Sequence, residues 1–238
     1  MTDTIASIDV LLFAVLPYVA LALFVWGNID RYRRRPYTLS TGSSQFLENR
    51  EHFWTVVPFH YGIIVVMLAH LAAVLLPGTI LAWNAEPLRL YLLEGTGLVF
   101  GLLATLGFAG VVFRRLTVET VRVTTQPSDW TVYTILLVQL VTGVSVAVMY
   151  TWGSAWSAGT LTPYLWSLAL LQPDITLVSA MPVLIKLHVV GAFLLIAVFP
   201  FSRLVHIAYI PNTYFVRRPQ VVRWYRPLPP RGGVRRGY

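Results

Sequence analysis

The chain of 238 residues contains no cysteine, and only 12% of its residues are charged. Without cysteine it forms no disulfide, no thiolate-ligated iron–sulfur cluster, no covalent CxxCH-type haem attachment and no cysteine zinc site. Charged residues are about half as frequent as in a soluble globular domain. There is also no glycine-rich phosphate loop. The absence of cysteine excludes only the sites that depend on it and says little about compartment, whereas the scarcity of charge is unlike a soluble domain.

Apolar residues are abundant and come in runs, and 56% of the chain is hydrophobic. Because a helix needs about 20 apolar residues to cross a bilayer, five of these runs are long enough to be spans. We predict an all-α integral membrane protein with spans at Val10–Trp26, Trp54–Leu76, Leu90–Phe113, Trp130–Trp152 and Met181–Ile207. The first span lacks a preceding basic residue and a cleavage site, so we predict a retained helix.

Two segments outside the spans differ from them in composition. Residues 153–180 are predicted to be a long loop, in which Tyr164–Leu171 is too short to cross but suits an interfacial helix. Residues 211–238 are rich in proline and arginine and cannot form a core of their own. We therefore predict a transmembrane domain over residues 1–210 and a basic tail over 211–238 that is disordered or docks on a cytoplasmic partner.

Basic residues lie mostly on one side of these spans. Of the 18 lysines and arginines, all but Arg89, Lys186 and Arg203 lie in the first and third connections or in the tail. By the positive-inside rule that side is cytoplasmic, which predicts an N-terminus outside and a C-terminus inside. The net charge of +8 thus reflects orientation and contact with anionic lipid, and no nucleic-acid partner is predicted.

Four histidines lie inside two of the predicted spans. His60 and His70 are in the second span, and His188 and His206 are in the fifth, which runs in the opposite direction. Ionisable residues in a membrane are costly and usually have a partner or a function. Equal depth pairs His60 with His206 near the cytoplasmic side. It pairs His70 with His188 near the outer side, and two such pairs are typical of axial ligands for two haems.

The spacing of these histidines is unequal. Ten residues separate the first two and eighteen the last two, so straight helices would hold them about 15 Å and 27 Å apart. We expect tilt, imidazole reach and a kink at Pro200 to absorb part of this difference. The small residues Gly62 and Gly191, and the stripe Gly97, Gly101 and Ala104, permit close approach of another helix or of a flat macrocycle.

Other interpretations of the histidines are hydrogen bonding within the bundle and a zinc or proton transporter. A transporter usually adds carboxylates, and Glu94 is the only one within a predicted span. Arg203 and the pair Arg114–Arg115 lie near the predicted inner haem, so they are candidate counter-charges for its propionates, although the pair also fits ordinary positive-inside residues. His52 is predicted to be a solvated interfacial residue.

The stretches around the histidines resemble the gamma (cytochrome b) subunit of membrane-bound respiratory nitrate reductase. The similarity runs over nearly the whole chain, and its most specific stretch is Phe-Pro-Phe-Ser-Arg-Leu-Val-His at residues 199–206. The other matching stretches are Ser43-Ser44-Gln45, Phe59-His60-Tyr61-Gly62, Ala69-His70, Arg122-Val-Thr-Thr125, Lys186-Leu187-His188 and, in the tail, Arg218-Pro-Gln-Val-Val-Arg223.

The resemblance implies a five-helix bundle that binds two b-type haems, with His60 and His206 at the inner haem. It implies His70 and His188 at the outer haem, where the family oxidises menaquinol or ubiquinol. Arg89 stands where the family has a quinol-binding lysine. Electrons pass to an iron–sulfur subunit and a molybdenum-containing catalytic subunit. Alternatives are a di-haem cytochrome b of a formate dehydrogenase, hydrogenase or sulfur-cycle complex, and a haem-free transporter.

Overall fold

The computed structural model describes residues 7–35 and 50–208, apart from the side chains of residues 50–52. All regular elements in these residues are helical. In chain order they are α1 (Ser7–Arg34), α2 (Arg50–Leu75), α3 (Pro77–Trp83), α4 (Pro87–Thr117), α5 (Glu119–Arg122), α6 (Pro127–Met149), α7 (residues 153–169), α8 (Thr176–Ser179) and α9 (Val183–Val198), followed by 3-10 turns at Phe199–Phe201 and Arg203–Ile207.

Five of these helices, α1, α2, α4, α6 and α9, are long and apolar enough to cross a membrane. The prediction of an all-α protein with five spans is confirmed. Several ends differ from the predicted ones, since α1 continues to Arg34 and α4 begins at Pro87. Helices α3, α4 and α6 each begin with a proline. Proline suits this position because the first N–H of a helix has no partner within the helix, so nothing is lost when proline lacks it. The predicted tail falls outside the described residues.

The prediction of a loop over residues 153–180 is wrong for most of that segment. Helix α7 combines Gly153–Trp156, a π-helical turn at Ser157–Leu161 and Thr162–Ala169. Its side chains Tyr164 and Leu168 are buried in a core with Phe13 of α1 and Phe193 of α9. The Tyr164 hydroxyl donates to the Phe13 carbonyl at 2.7 Å, and burial raises the pKa of Tyr164, which keeps the donor protonated. Tertiary packing therefore stabilises a helix too short to be read as a span.

Helix α7 also caps the C-terminal end of α2. Pro77 has no N–H, so the Ala73 carbonyl four residues earlier lacks its helical donor. The Thr162 hydroxyl donates to that carbonyl at 3.1 Å, and the Trp166 indole N–H donates to the Val74 carbonyl at 3.0 Å. The α2 terminus is thereby satisfied inside an apolar environment, where an unpaired carbonyl would be costly.

Helices α2 and α4 make the closest backbone contact in the bundle. A Cβ atom added at Gly62 would lie 2.5 Å from the Ala104 amide nitrogen, and one added at Gly107 would lie 2.5 Å from the Phe59 amide nitrogen. Each of the two antiparallel helices thus contributes a glycine at the point where the backbone of the other comes closest. Small residues allow this approach, in which van der Waals packing drives association in lipid.

The other spans continue the bundle as a series of neighbours. Helix α4 packs on α6, α6 on α9, and α9 on α1. A second core joins α4 and α6 through Ala104, Phe108, Leu136 and Leu140. Within the described residues, α2 and α9 have almost no close backbone contact, so a gap separates α2, which carries His60 and His70, from α9, which carries His188.

The fifth span is interrupted rather than kinked at its C-terminal end. The α-helix stops at Val198, a 3-10 turn follows, and Ser202 is extended with φ −119° and ψ 179° before a second 3-10 turn. Pro200 cannot donate to the carbonyl four residues earlier, which favours an end to the α-helix here. The predicted continuous span Met181–Ile207 is therefore corrected to a helix and two turns.

Replacement of Gly62 by alanine is expected to destabilise the bundle by about 1–3 kcal/mol, because its Cβ would clash with the backbone of α4. The matched control is Gly95→Ala in α4, where an added Cβ meets nothing within 4 Å. The measurement is the thermal unfolding midpoint of the purified protein in detergent, followed by circular dichroism. Equal midpoints for the two variants would contradict the close α2–α4 contact.

Candidate functional site

The four histidines of the spans lie in two pairs. The ring centres of His60 and His206 are 6.3 Å apart, and those of His70 and His188 are also 6.3 Å apart. These are the pairs that equal depth predicts. They bridge the gap between α2 on one side and α9 with its following turns on the other. The break after Val198 explains how unequal spacings reach equal depth. Ten residues separate His188 from that point, as many as separate His60 from His70.

The spacing of the rings fits one metal ion between the two imidazoles of each pair. Metal–imidazole bonds are about 2.0 Å long and the nitrogen lies about 1.2 Å from the ring centre, so a linear arrangement holds the centres about 6.4 Å apart. In the described residues, no group of three or more histidine, aspartate or glutamate side chains could hold a metal ion. A metal at either pair would need its remaining ligands from elsewhere, as a porphyrin supplies them.

Hydrogen bonds to the backbone orient three of the four rings. Nδ1 of His60 donates to the Val56 carbonyl at 2.8 Å, and Nδ1 of His70 donates to the Val66 carbonyl at 2.8 Å. Nδ1 of His206 donates to the Arg203 carbonyl at 2.7 Å. Because a carbonyl only accepts, the proton is on Nδ1 and the lone pair of Nε2 is available. This is the arrangement that metal-ligating histidines usually have.

The fourth ring, that of His188, is held by side chains of α6. Its Nδ1 lies 3.1 Å from the Thr142 hydroxyl, and its Nε2 lies 3.3 Å from the amide nitrogen of Gln139. A Cβ added at Gly143 would lie 2.9 Å from Cε1 of the same ring. Helix α6 therefore holds the His188 ring in place through Thr142, Gln139 and Gly143. An iron ion bound at Nε2 would have to displace the amide group of Gln139 from that nitrogen.

The small residues of the predicted stripe have different surroundings. Ala104 packs against Gly62, so that contact joins two helices rather than facing a macrocycle. Gly101 has only ordinary contact with Val144, at 3.5 Å, and an added Cβ at Gly97 meets nothing within 4 Å. Gly191 faces the side-chain oxygen of Gln139. Of these predicted small residues, Gly97 and Gly101 are the two that leave space beside the helix for a flat macrocycle.

The segment that carries His206 is held from two sides. From α1, the Arg31 guanidinium donates to the carbonyls of Pro200 at 2.8 Å and Ser202 at 2.7 Å. From α6, the Asp129 carboxylate pairs with Arg203 at 2.9 Å and is 3% exposed as a residue. Arg31 thus supplies donors for carbonyls left free by the break. The ion pair of Asp129 with Arg203 fixes the position of the last turn.

The predicted arginines have different environments. Arg203 pairs with Asp129 and also donates to the Thr124 carbonyl at 3.0 Å, and its contact with haem stays a prediction. Arg114 and Arg115 are buried, and Arg115 donates to the Thr125 hydroxyl at 3.1 Å. Arg89 is exposed, with its guanidinium over the Trp83 ring at 5.4 Å. The side chain of His52 is outside the described part.

Comparison with known proteins gives a match over most of the chain. Residues 9–225 match the family described as the nitrate reductase gamma subunit. The chain belongs to this family. The match covers all four paired histidines.

Three relatives of the gamma-subunit family illustrate the similarity. The nitrate reductase gamma chain of Bacillus subtilis strain 168 is 28% identical over 90% of this chain and 97% of its own length. The respiratory nitrate reductase 2 gamma chain of Escherichia coli K12 is 32% identical over 92% of this chain and 98% of its own length. The respiratory nitrate reductase 1 gamma chain of the same organism is 27% identical over 91% and 97%.

Sequence reasoning missed several polar residues of this gamma-subunit bundle. The sequence predicts Glu94 as the only carboxylate in a span, but Asp9, Asp30 and Asp129 also lie in spanning helices. Asp9 pairs with Lys186 at 3.0 Å, which joins α1 to α9 two residues before His188. Glu94 accepts from the amide of Ser154 at 2.7 Å at the start of α7. The sequence alone did not reveal Asp9 and Asp129 as part of the bundle, because their basic partners lie far away in the chain.

Replacement of Asp129 by asparagine is expected to destabilise the protein by about 3 kcal/mol, because Arg203 would keep a partly buried charge without its counter-charge. Asparagine can still accept from the Gln126 amide, so the cap of α6 is retained. The matched control is Asp30→Asn, whose partner Arg34 has a side chain that is 79% exposed. That change should cost at most about 1 kcal/mol. Denaturant titration in detergent measures both, and equal losses would contradict the account.

Proposed function

We propose that this chain is the membrane-anchor, di-haem cytochrome b subunit of a respiratory nitrate reductase. The observation that carries the proposal is the pair of equal ring separations, 6.3 Å at His60–His206 and 6.3 Å at His70–His188. Membership of the gamma-subunit family supports nitrate chemistry on a partner subunit, rather than that of a formate dehydrogenase, hydrogenase or sulfur-cycle complex.

We further propose that the N-terminus is outside and the C-terminus cytoplasmic, in the inner membrane of a prokaryote. Five spanning helices, an odd number, require the two ends to lie on opposite sides. The basic side then faces the cytoplasm. His60 and His206 lie toward that side, and His70 and His188 toward the outer one. This orientation gives the two pairs their inner and outer roles.

The chain's own residues would hold a haem b at each pair. Each haem would supply one-electron iron chemistry, and two imidazoles leave its iron no open position for oxygen. The Nδ1 hydrogen bonds of His60, His70 and His206 leave the Nε2 lone pairs available, and these would bind the haem iron. Arg203 and the buried pair Arg114–Arg115 bring positive charge to the cytoplasmic side, where haem propionates would need it.

The outer end of the bundle is the proposed place of quinol oxidation. Protons released there appear outside while electrons go to the cytoplasmic side, which stores about 2.3 kcal/mol per charge per 100 mV. By the register of the α2–α4 contact, Arg89 lies about two helical turns beyond the level of His70. Its guanidinium can donate to a quinone carbonyl but cannot readily take up or lose a proton.

The partners are an iron–sulfur subunit and a molybdenum-containing catalytic subunit on the cytoplasmic face. The basic tail over residues 211–238 and the first cytoplasmic connection are the proposed docking segments, and both lie outside the described residues. The names of the matched relatives support an assembly of nitrate reductase subunits.

The proposal is tested by reduction of the haems with menaquinol and ubiquinol analogues in membranes that contain the assembled complex. Arg89→Ala is expected to raise the quinol KM about tenfold, because a charged hydrogen-bond donor is lost. Arg89→Lys should retain most of the affinity, and haem content should not change.

The control is Arg122→Ala, which removes an exposed arginine of α5 at the opposite end of the bundle. An absence of quinol-driven haem reduction in the wild-type complex would overturn the proposed function. An unchanged KM in Arg89→Ala, with normal reduction, would overturn only the role of Arg89 and leave it a lipid-facing residue.

A further inference from the structure

We infer that Thr142 is a positioning residue for the outer pair: it fixes the tautomer of His188 and sets how strongly that imidazole donates electrons to iron. The inference rests on the proposed function, because it concerns the binding of haem by His70 and His188. It concerns a contact between helices that the other three histidines do not have.

The hydrogen bonds around Thr142 fix the direction of the contact. Its Oγ1 lies 2.8 Å from the Val138 carbonyl and 3.1 Å from the Gln139 carbonyl, in the preceding turn of α6. A hydroxyl has one proton, and a threonine inside a helix commonly donates it to the carbonyl four residues earlier. The Val138 carbonyl is in that position and is the nearest acceptor, so we assign the proton of Thr142 to it. With this assignment the hydroxyl oxygen accepts from Nδ1 of His188, which lies 3.1 Å away.

This direction places the proton of His188 on Nδ1 and its lone pair on Nε2. The amide nitrogen of Gln139 faces Nε2 at 3.3 Å, as a donor would face a lone pair. Both contacts of the ring therefore agree on one tautomer. That tautomer is the one in which Nε2 can bind iron.

Thr142 and Gly143 of α6 form a close-fitting, buried contact surface for the His188 ring. Thr142 is 8% exposed, and the next residue, Gly143, leaves no room for a Cβ beside Cε1 of His188. The hydroxyl thus meets Nδ1 inside the bundle, away from lipid headgroups and water. Bulk water cannot replace the contact when it is removed.

The partner of His188 differs in strength from those of the other rings. His60, His70 and His206 donate to backbone carbonyls of their own segments at 2.7–2.8 Å. The Thr142 hydroxyl lies farther from its ring, at 3.1 Å, and the longer hydrogen bond is the weaker one. A hydrogen bond from Nδ1 raises the basicity of the ligand, and a more basic ligand stabilises ferric iron. Loss of the Thr142 hydroxyl should therefore favour the ferrous form of the outer haem alone.

The experiment is a potentiometric titration of the assembled complex, with Thr142→Val, Thr142→Ser and Thr105→Val as variants. Valine has the shape of threonine without its hydroxyl, and serine keeps the hydroxyl. Thr105 is a matched control, because its hydroxyl bonds only the Gly101 carbonyl of its own helix, at 2.8 Å. The outer haem is identified as the one lost in His188→Ala.

Thr142→Val is expected to lower the ferric-to-ferrous ratio of the outer haem three- to tenfold at a fixed ambient potential, where about tenfold corresponds to about 59 mV. The inner haem should not shift. Thr142→Ser and Thr105→Val should both titrate like the wild type. If Thr142→Val loses the outer haem entirely while serine retains it at the wild-type potential, the hydroxyl is still required and the inference stands.

An unchanged outer potential in Thr142→Val, with both haems present, would overturn the inference and leave the proposed function intact. A shift of the same size in Thr105→Val would also overturn it, since packing alone would then be the cause. A wild-type complex without haem would instead overturn the proposed function itself, so the two failures are distinguishable.

Discussion

The rest of the site depends on the end of the fifth span. Two straight helices cannot pair histidines that are ten residues apart on one and eighteen apart on the other. The α-helix that carries His188 stops at Val198, and two 3-10 turns bring His206 to His60. Pro200 removes a donor that the helix would need in order to continue. Equal ring separations at both pairs follow from this break.

A break in a membrane helix has to be compensated, because freed carbonyls have no water to bond. Arg31 of α1 donates to two of these carbonyls, and the ion pair of Asp129 with Arg203 ties the next turn to α6. At the other end, α6 seats the ring of His188 through Thr142. Helices α1 and α6, which carry none of the paired histidines, thus determine where His188 and His206 lie.

Much of this was predictable from local rules. Span length gives the five helices, and opposite chain direction gives the depth order that pairs His70 with His188. The contacts of Arg31, Asp129 and Thr142 were not predictable, since each joins residues far apart in sequence and none belongs to a periodic pattern. The helix over residues 153–169 was missed for a related reason: it is stabilised by a core with α1 and α9 rather than by its own length.

The central claim is that each histidine pair holds one haem b. The most direct test is pyridine haemochrome quantification, with reduced-minus-oxidised spectra, on the purified complex and on His60→Ala, His206→Ala, His70→Ala and His188→Ala. The account predicts two haems in the wild-type subunit and one in each variant, with the same haem lost by both members of a pair. Intact, folded protein without haem, or variants of one pair that lose different haems, would contradict it.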